Sequence, residues 1–458
     1  MPRDKKNAQA KIDPWKYDEL EKAAQKEDMT VSEFLRTLIN DAIGDQELNI
    51  KDDLIKDIAT LSGEWPVSDN DFSSARSILN ERWDDVFTDD VVSIWDKVTA
   101  VGHVYVIGQG TSYSVAKYLA HTLRRRNVNA QAYKAEEFLN KVNDENGILI
   151  AISRSGQTES IVGAAKDASG RGMPVVAQTE SDSQLENIAT HTIPLPKVSE
   201  ATKAYTTRAS FLQLVILQTI FSTDDIVSKD DFSRENTLNR VNKIEKFIDN
   251  HVTFSFDKNE TGLSKFRLAS SSPFRTMSSE LKNSQDLRLN PIFASLGRYQ
   301  PQTHEFAHKI TEFLHIFSDY DTLGHVRDHY VNILFNESGY LVTPVPPKDS
   351  DEYERCYDYL FNDRASVKNL LTSTRPKPFR WITITTNKRN GRIEEACANF
   401  SRYEDASVIR LESSDNLTND LIMFVASFLF TYSILSEAWG SDPEIRQNVP
   451  RTIDHRPR

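Results

Sequence analysis

The chain has 458 residues, 39% of them hydrophobic and 27% charged, with a formal net charge of −12. That length predicts about three domains of a soluble globular protein, and no apolar run reaches the roughly 18 residues of a membrane span. The acidic balance excludes wholesale coating of nucleic acid but leaves room for a local basic element. MPRDKKNAQAKID has charge but no apolar centre, so no secretory signal is expected. Two cysteines, Cys356 and Cys397, make no disulfide scaffold, and the expected location is cytoplasmic.

Residues 7–12 (NAQAKI) alternate polar and apolar, which predicts a short strand. Asp13 and Pro14 open a helix as N-cap and first helical residue. Thr30-Val31-Ser32-Glu33 is a capping box for a second helix that stops at Gly44. One strand and two helices cannot bury enough apolar surface alone, so two copies are expected to pair their strands in a homodimer or larger homo-oligomer.

A helical linker is expected over 49–95 and an α/β domain over 96–228. Strand 102–107 runs into Gly108-Gln109-Gly110-Thr111-Ser112-Tyr113, followed by a helix with Val115, Leu119 and Leu123 inside. Strand 147–153 meets Ser153-Arg154-Ser155-Gly156-Gln157-Thr158, then a helix and strand 174–179. This alternation predicts a doubly wound parallel sheet with helices on both faces. Ligands of such sheets bind beyond the carboxyl ends of the strands. SRSGQT offers hydroxyls at Ser153, Ser155 and Thr158 and free N–H groups at a helix N-terminus, where the dipole favours an anion. Two such loops, each after a buried strand, point to a phosphorylated sugar.

Residues 229–458 read as a second, divergent copy. Its expected strands are 266–270, 290–296, 380–386 and 406–411, with a buried apolar helix at 420–439. The stretch about 318–375 has no counterpart and is expected to be an inserted surface element or partner-binding arm. His304-Glu305-Phe306-Ala307-His308 is literally H-E-x-x-H, a zinc-protease spacing. The longer metzincin pattern fails at Thr311, and neither a metal nor another cofactor is expected.

Two resemblances follow from these motifs. Residues 7–43 resemble the ribbon-helix-helix family, whose paired strands enter the DNA major groove. The resemblance implies that Asn7, Gln9 and Lys11 read base edges, that Thr30–Ser32 hold a phosphate, and that Arg3, Lys5 and Lys6 neutralise others. GQGTSY, AISRSGQTES and EATKAYTT (200–207) are similar to the SIS (sugar isomerase) domain family, most of all to the isomerase half of glucosamine-6-phosphate synthases. That implies two SIS-type subdomains after the small N-terminal segment. It also implies that Ser153, Arg154, Ser155 and Thr158 hold the phosphate, with Lys203 in the third block, while Gly110, Thr111 and Ser112 line the sugar. Arg154 stands where the synthases have glutamine.

By the same resemblance Asp286 falls at the family's catalytic Glu, and His304 or His308 near its ring-opening His. Arg451 falls at the Schiff-base Lys of the synthases. Arginine stays protonated and makes no imine, but the phosphoglucose/phosphomannose isomerase branch lacks that lysine too. The expectation is a DNA-binding transcriptional regulator responsive to a phosphorylated sugar. The alternatives are a phosphosugar aldose–ketose isomerase or aminosugar-phosphate deaminase/deglycase, and a scaffold whose first segment only dimerises. Without a glutaminase segment or a cysteine near Met1, glutamine-dependent synthesis is not expected.

Overall fold

The computed structural model describes residues 74–143, 146–198, 207–223, 226–256, 264–268, 290–314, 319–323, 339–362, 366–369, 379–388, 391–400, 406–412 and 414–438, with Lys26. The ribbon-helix-helix expectation over 7–43 lies outside them, as do Asn7, Gln9, Lys11, Lys203, Asp286 and Arg451.

Three helices lead in: α1 (Ala75–Glu81), α2 (Trp83–Val86) and α3 (Asp89–Ala100). The first sheet then forms from β1 (Val104–Gly108), β2 (Ala130–Lys134), β3 (Ile148–Ile152), β4 (Val175–Thr179) and β5 (His191–Pro194). Between and after them run α4 (Thr111–Arg125), α5 (Ala135–Lys141), α6 (Glu159–Gly170), α7 (Gln184–Ile188), α8 (Thr207–Phe221) and α9 (Arg234–His251). The strands pair in parallel in the order β2-β1-β3-β4-β5. β1, β3 and β4 are buried on both faces, which is why they read as apolar runs. On β3, Ile148, Ile150 and Ile152 join the central core, while Leu149 and Ala151 pack outward with Phe138, Ile161 and Leu185.

A hairpin of β6 (Val252–Phe256) and β7 (Ser264–Leu268) follows, paired antiparallel. The second sheet contains β8 (Asn290–Ser295), β9 (Asp319–Thr322), β10 (Gly339–Val345), β11 (Phe379–Thr385) and β12 (Ala406–Arg410). Its helices are α10 (Gln300–Leu314), α11 (Asp351–Tyr357), α12 (Arg392–Phe400) and α13 (Asn416–Ala438). The order β9-β8-β10-β11-β12 repeats that of the first sheet, and every pairing is parallel. α4, α8, α10 and α13 fill the space between the sheets, where Phe293, Phe306 and Phe430 stack edge and face. Residues 418–430 of α13 are buried, and no helix among the described residues is long and apolar enough to cross a membrane.

Two expectations are corrected here. The segment expected as the first strand of the second copy, 266–270, overlaps β7, which pairs with β6 outside the parallel sheet; β8 takes its place. The stretch 318–375 is not an inserted arm, because it supplies β9 and the central strand β10. Leu341, Val342 and Val345 are fully buried there, and a surface element would not carry them.

The first half is tied to a buried ion pair of the second by Tyr118. Arg298 meets Asp420 through both Nε and Nη2 at 2.9 Å. Tyr118 of α4 donates to the same carboxylate at 2.8 Å, and Gln218 of α8 donates to the Tyr118 oxygen at 3.0 Å. Removing one member strands the others without solvent. Asp420→Ala is therefore expected to cost about 3–5 kcal/mol, measured as a loss of unfolding free energy in urea.

Candidate active-site crevice

The glycine-rich turn after β1 is built by close approach. At Gly108 a Cβ would run into the Ser112 backbone, and Gly110 has φ +56°. Only glycine adopts that region without strain. The turn presents Ser112, which donates to Gln213 Oε1 of α8 at 3.4 Å. Thr111 instead turns inward and donates to Glu305 Oε1 at 3.2 Å.

The second turn, 153–158, follows β3. Thr158 is the N-cap of α6 but makes no side-chain cap, so the first N–H groups of this helix have no capping side chain. Ser153 is buried with its hydroxyl 3.4 Å from that of Thr158, and Ser155 is exposed and accepts from the Gln157 N–H at 3.3 Å. Gly156 has φ +57°, and a Cβ there would strike Ser183 and Thr179. Arg154 does not reach over this turn. Its Nε lies 3.2 Å from Glu180 and its Nη2 donates to the Val198 carbonyl at 3.2 Å.

The third wall is α10. It runs antiparallel to α4, so that His308 faces Gly110, its Nε2 3.4 Å from where a Cβ would stand. One turn earlier His304 stacks on His308 with ring centres 5.8 Å apart, and meets Tyr113 and Tyr320 edge-on. Burial above all, then the Lys117, His308, Lys134 and Lys309 charges, drives the His304 pKa well below the ordinary value. Lys117 sits over the Tyr320 ring at 4.2 Å and the Tyr113 ring at 5.2 Å. Burial pushes its ammonium down to about 8. Glu305 is wholly buried, with Ser114 donating to Oε2 at 2.7 Å and Lys309 Nζ 3.8 Å from Oε1.

The structure thus brings Gly110, Ser112, His304 and His308 to one end of the first sheet, with the 153–158 turn after the adjacent strand. It directs Thr111 and Arg154 to internal partners. Ser114, Lys117 and Glu305 were not singled out for this role from sequence. Their signal was the helical spacing from Gly110, and the H-E-x-x-H run whose glutamate faces Ser114 and Thr111.

The second half repeats the geometry but fills it. Gly297 has φ +60°, like Gly110, and His121 follows Gly110 at the interval by which His308 follows Gly297. Here the Glu352 carboxyl group occupies the space beside Gly297, with His121 Nε2 3.6 Å from it. Burial, then Arg124, Arg125 and Arg298, lowers the His121 pKa to about 3, so the ring is neutral.

Gly156→Ala would place a methyl group against Ser183 and force a strained φ. A loss of about 1–3 kcal/mol is expected, seen as a lower Tm.

Comparison with known proteins fits this architecture. Residues 97–222 match the family described as "SIS domain". The glutamine–fructose-6-phosphate aminotransferase (isomerizing) of Caldanaerobacter subterraneus subsp. tengcongensis is 25% identical over 205 residues, 43% of this chain and 32% of that protein. That of Pyrobaculum aerophilum is 30% identical over 134 residues, 28% of this chain and 22% of that protein. The matched part of the chain spans at most about a third of the length of these relatives. Among solved structures, tagatose-6-phosphate ketose/aldose isomerase from Escherichia coli superposes with a TM-score of 0.58 at 12% identity, covering 83% of this chain and 97% of that one. The C-terminal domain of glucosamine-fructose-6-phosphate aminotransferase from Francisella tularensis gives 0.55 at 13% identity, over 81% and 96%. At such identities these structures share the fold. The match to the SIS domain family thus falls on the first sheet and its helices, in a chain whose second sheet repeats the strand order of the first.

Proposed function

We propose that the crevice binds a phosphorylated sugar and interconverts its aldose and ketose forms. The observation that carries this reading is the meeting of the Gly110 turn with two imidazoles from the other half, beside a helix N-terminus free of a side-chain cap. The 153–158 turn takes the phosphate through N–H groups and the hydroxyls of Ser153, Ser155 and Thr158. Gly110 and Ser112 line the sugar. His308 faces the turn and serves ring opening, which needs a group that passes a proton between the ring oxygen and the anomeric hydroxyl. Isomerisation then moves a proton between adjacent carbons, the task assigned from sequence to Asp286. The relatives' names, an isomerizing aminotransferase and a ketose/aldose isomerase, support the same substrate class.

A thermal-shift series with fructose 6-phosphate and glucosamine 6-phosphate tests binding, because a ligand of the folded state raises Tm by mass action. The rise should shrink in Ser155→Ala. In a turnover assay His308→Ala should lose about 100-fold or more in kcat. No Tm rise with any phosphosugar would refute the reading.

A second reading is favoured by the sequence of segment 7–43, with its alternating polar and apolar residues and its Thr30-Val31-Ser32-Glu33 capping-box pattern. In it the same ligand controls a dimeric DNA-binding regulator through Asn7, Gln9 and Lys11. That requires the ligand to favour one arrangement of the paired segments over another. Binding to the protein's own upstream DNA should then be salt-sensitive and weakened by Lys11→Ala. Binding that ignores both salt and this substitution speaks against it.

A further inference from the structure

We propose that Ser114 and Glu305 are positioning residues that hold His304 in its Nδ1–H tautomer, leaving Nε2 as a proton-accepting atom of the crevice. Ser114 Oγ lies 2.6 Å from His304 Nδ1 and 2.7 Å from Glu305 Oε2. All three side chains are buried, so water does not replace either contact. A hydroxyl has a single hydrogen, and a carboxylate only accepts. Thr111 donates to the other Glu305 oxygen, and the Lys309 ammonium balances the charge at 3.8 Å. Ser114 therefore gives its hydrogen to Glu305. The short contact to His304 then needs a hydrogen from the ring, which places N–H at Nδ1.

The consequence for His304 follows directly. Burial and the surrounding cations, Lys117, Lys134 and Lys309 with His308, keep its ring neutral. A neutral ring with hydrogen on Nδ1 has its lone pair on Nε2. If Nε2 takes up a proton, nothing else in the chain has to turn. Nδ1–H still donates to Ser114 and Ser114 still donates to Glu305, so the aligned dipoles offset part of the burial and cation repulsion that oppose the new charge. This step rests on the isomerase reading. The proton leaves a sugar carbon for Nε2, which takes over the transfer assigned from sequence to Asp286, the C–H electron pair forms the double bond of an enediol, and the proton returns to the adjoining carbon. No oxidant or other reactant is consumed. The arrangement resembles the logic by which a buried acceptor fixes a histidine tautomer in other sites, with the serine hydroxyl as intermediary.

The test reads the tautomer itself. In protein labelled with 15N at histidine, a long-range proton–nitrogen correlation spectrum assigns each ring, and His304→Gln identifies the signal by its loss. The wild type should show His304 neutral with hydrogen on Nδ1 at neutral pH. Ser114→Ala should release the ring into a mixture containing the Nε2–H form, and Ser114→Thr should restore the single tautomer. Glu305→Gln should also disturb it, because an amide offers N–H to Ser114, and it serves if Ser114→Ala does not fold. A wild-type His304 protonated at Nε2, or a spectrum unchanged in both Ser114→Ala and Glu305→Gln, overturns the proposal. In turnover, Ser114→Ala should lower kcat about 100-fold with KM little changed. Absence of turnover in the wild type would remove the isomerase reading while leaving the tautomer result to stand or fall by itself.

Discussion

The buried carboxylate of Glu305 fixes how the two halves of this protein meet. It is fully enclosed, and its donors come from α4 (Thr111 and Ser114) and from its own helix (Lys309). A charge in that setting is tolerated only where several donors are in place. Sliding α10 along α4 by one residue would remove both hydroxyl donors and leave the carboxylate with Lys309, at 3.8 Å, from its own helix. The register so fixed is the one that sets His308 against Gly110 and His304 against Ser114. The site geometry is thus a consequence of an electrostatic constraint buried beside it.

The same antiparallel pairing of α4 and α10 creates two crevices, since each half carries a left-handed glycine and each helix a histidine at the matching interval. They are not equivalent. Beside Gly297 the space is taken by Glu352, and the adjacent Arg298 is committed to Asp420. Beside Gly110, among the described residues, the facing group is the His308 imidazole. A helix of the second half completes the crevice of the first. The hydroxyl-rich turn 153–158 has as its positional counterpart Pro346-Pro347-Lys348-Asp349-Ser350, where prolines remove N–H donors.

The first half was legible because its central strands, β1, β3 and β4, are buried on both faces. Runs such as Ile148–Ile152 leave little choice of element, and each ends in a turn whose glycines have a steric reason to be there. The second half was less so. β9 is Asp-Tyr-Asp-Thr, a short edge strand whose side chains are only half buried, and nothing in its composition marks it. β10 is followed by two prolines, which read as loop although they stand just past the strand end. β7 has a strand-like pattern, and local pattern does not reveal that its partner is antiparallel. At the candidate site, sequence singled out Ser153, Ser155, Thr158 and the two histidines. It could not show that Arg154 would turn to Glu180, or that Thr111 would turn to Glu305, because both depend on residues distant in the chain.

The commitment of Arg154 bears on how an anion would be held. An arginine fork on a phosphate adds two charge-assisted hydrogen bonds and much of the binding energy. Here the guanidinium is spent on Glu180 and the Val198 carbonyl, which anchors the turn to the end of β4 and to the chain beyond β5. Among the described residues, the turn itself then offers only neutral donors, namely the first N–H groups of α6 and three hydroxyls. Such a cradle recognises a dianion by the placement of its donors, and its attraction is weaker than that of a paired cation. The ligand would exchange readily, as both turnover and sensing demand. Selectivity among sugars would then be decided at the other end of the molecule, where Ser112, Gly110 and His308 converge.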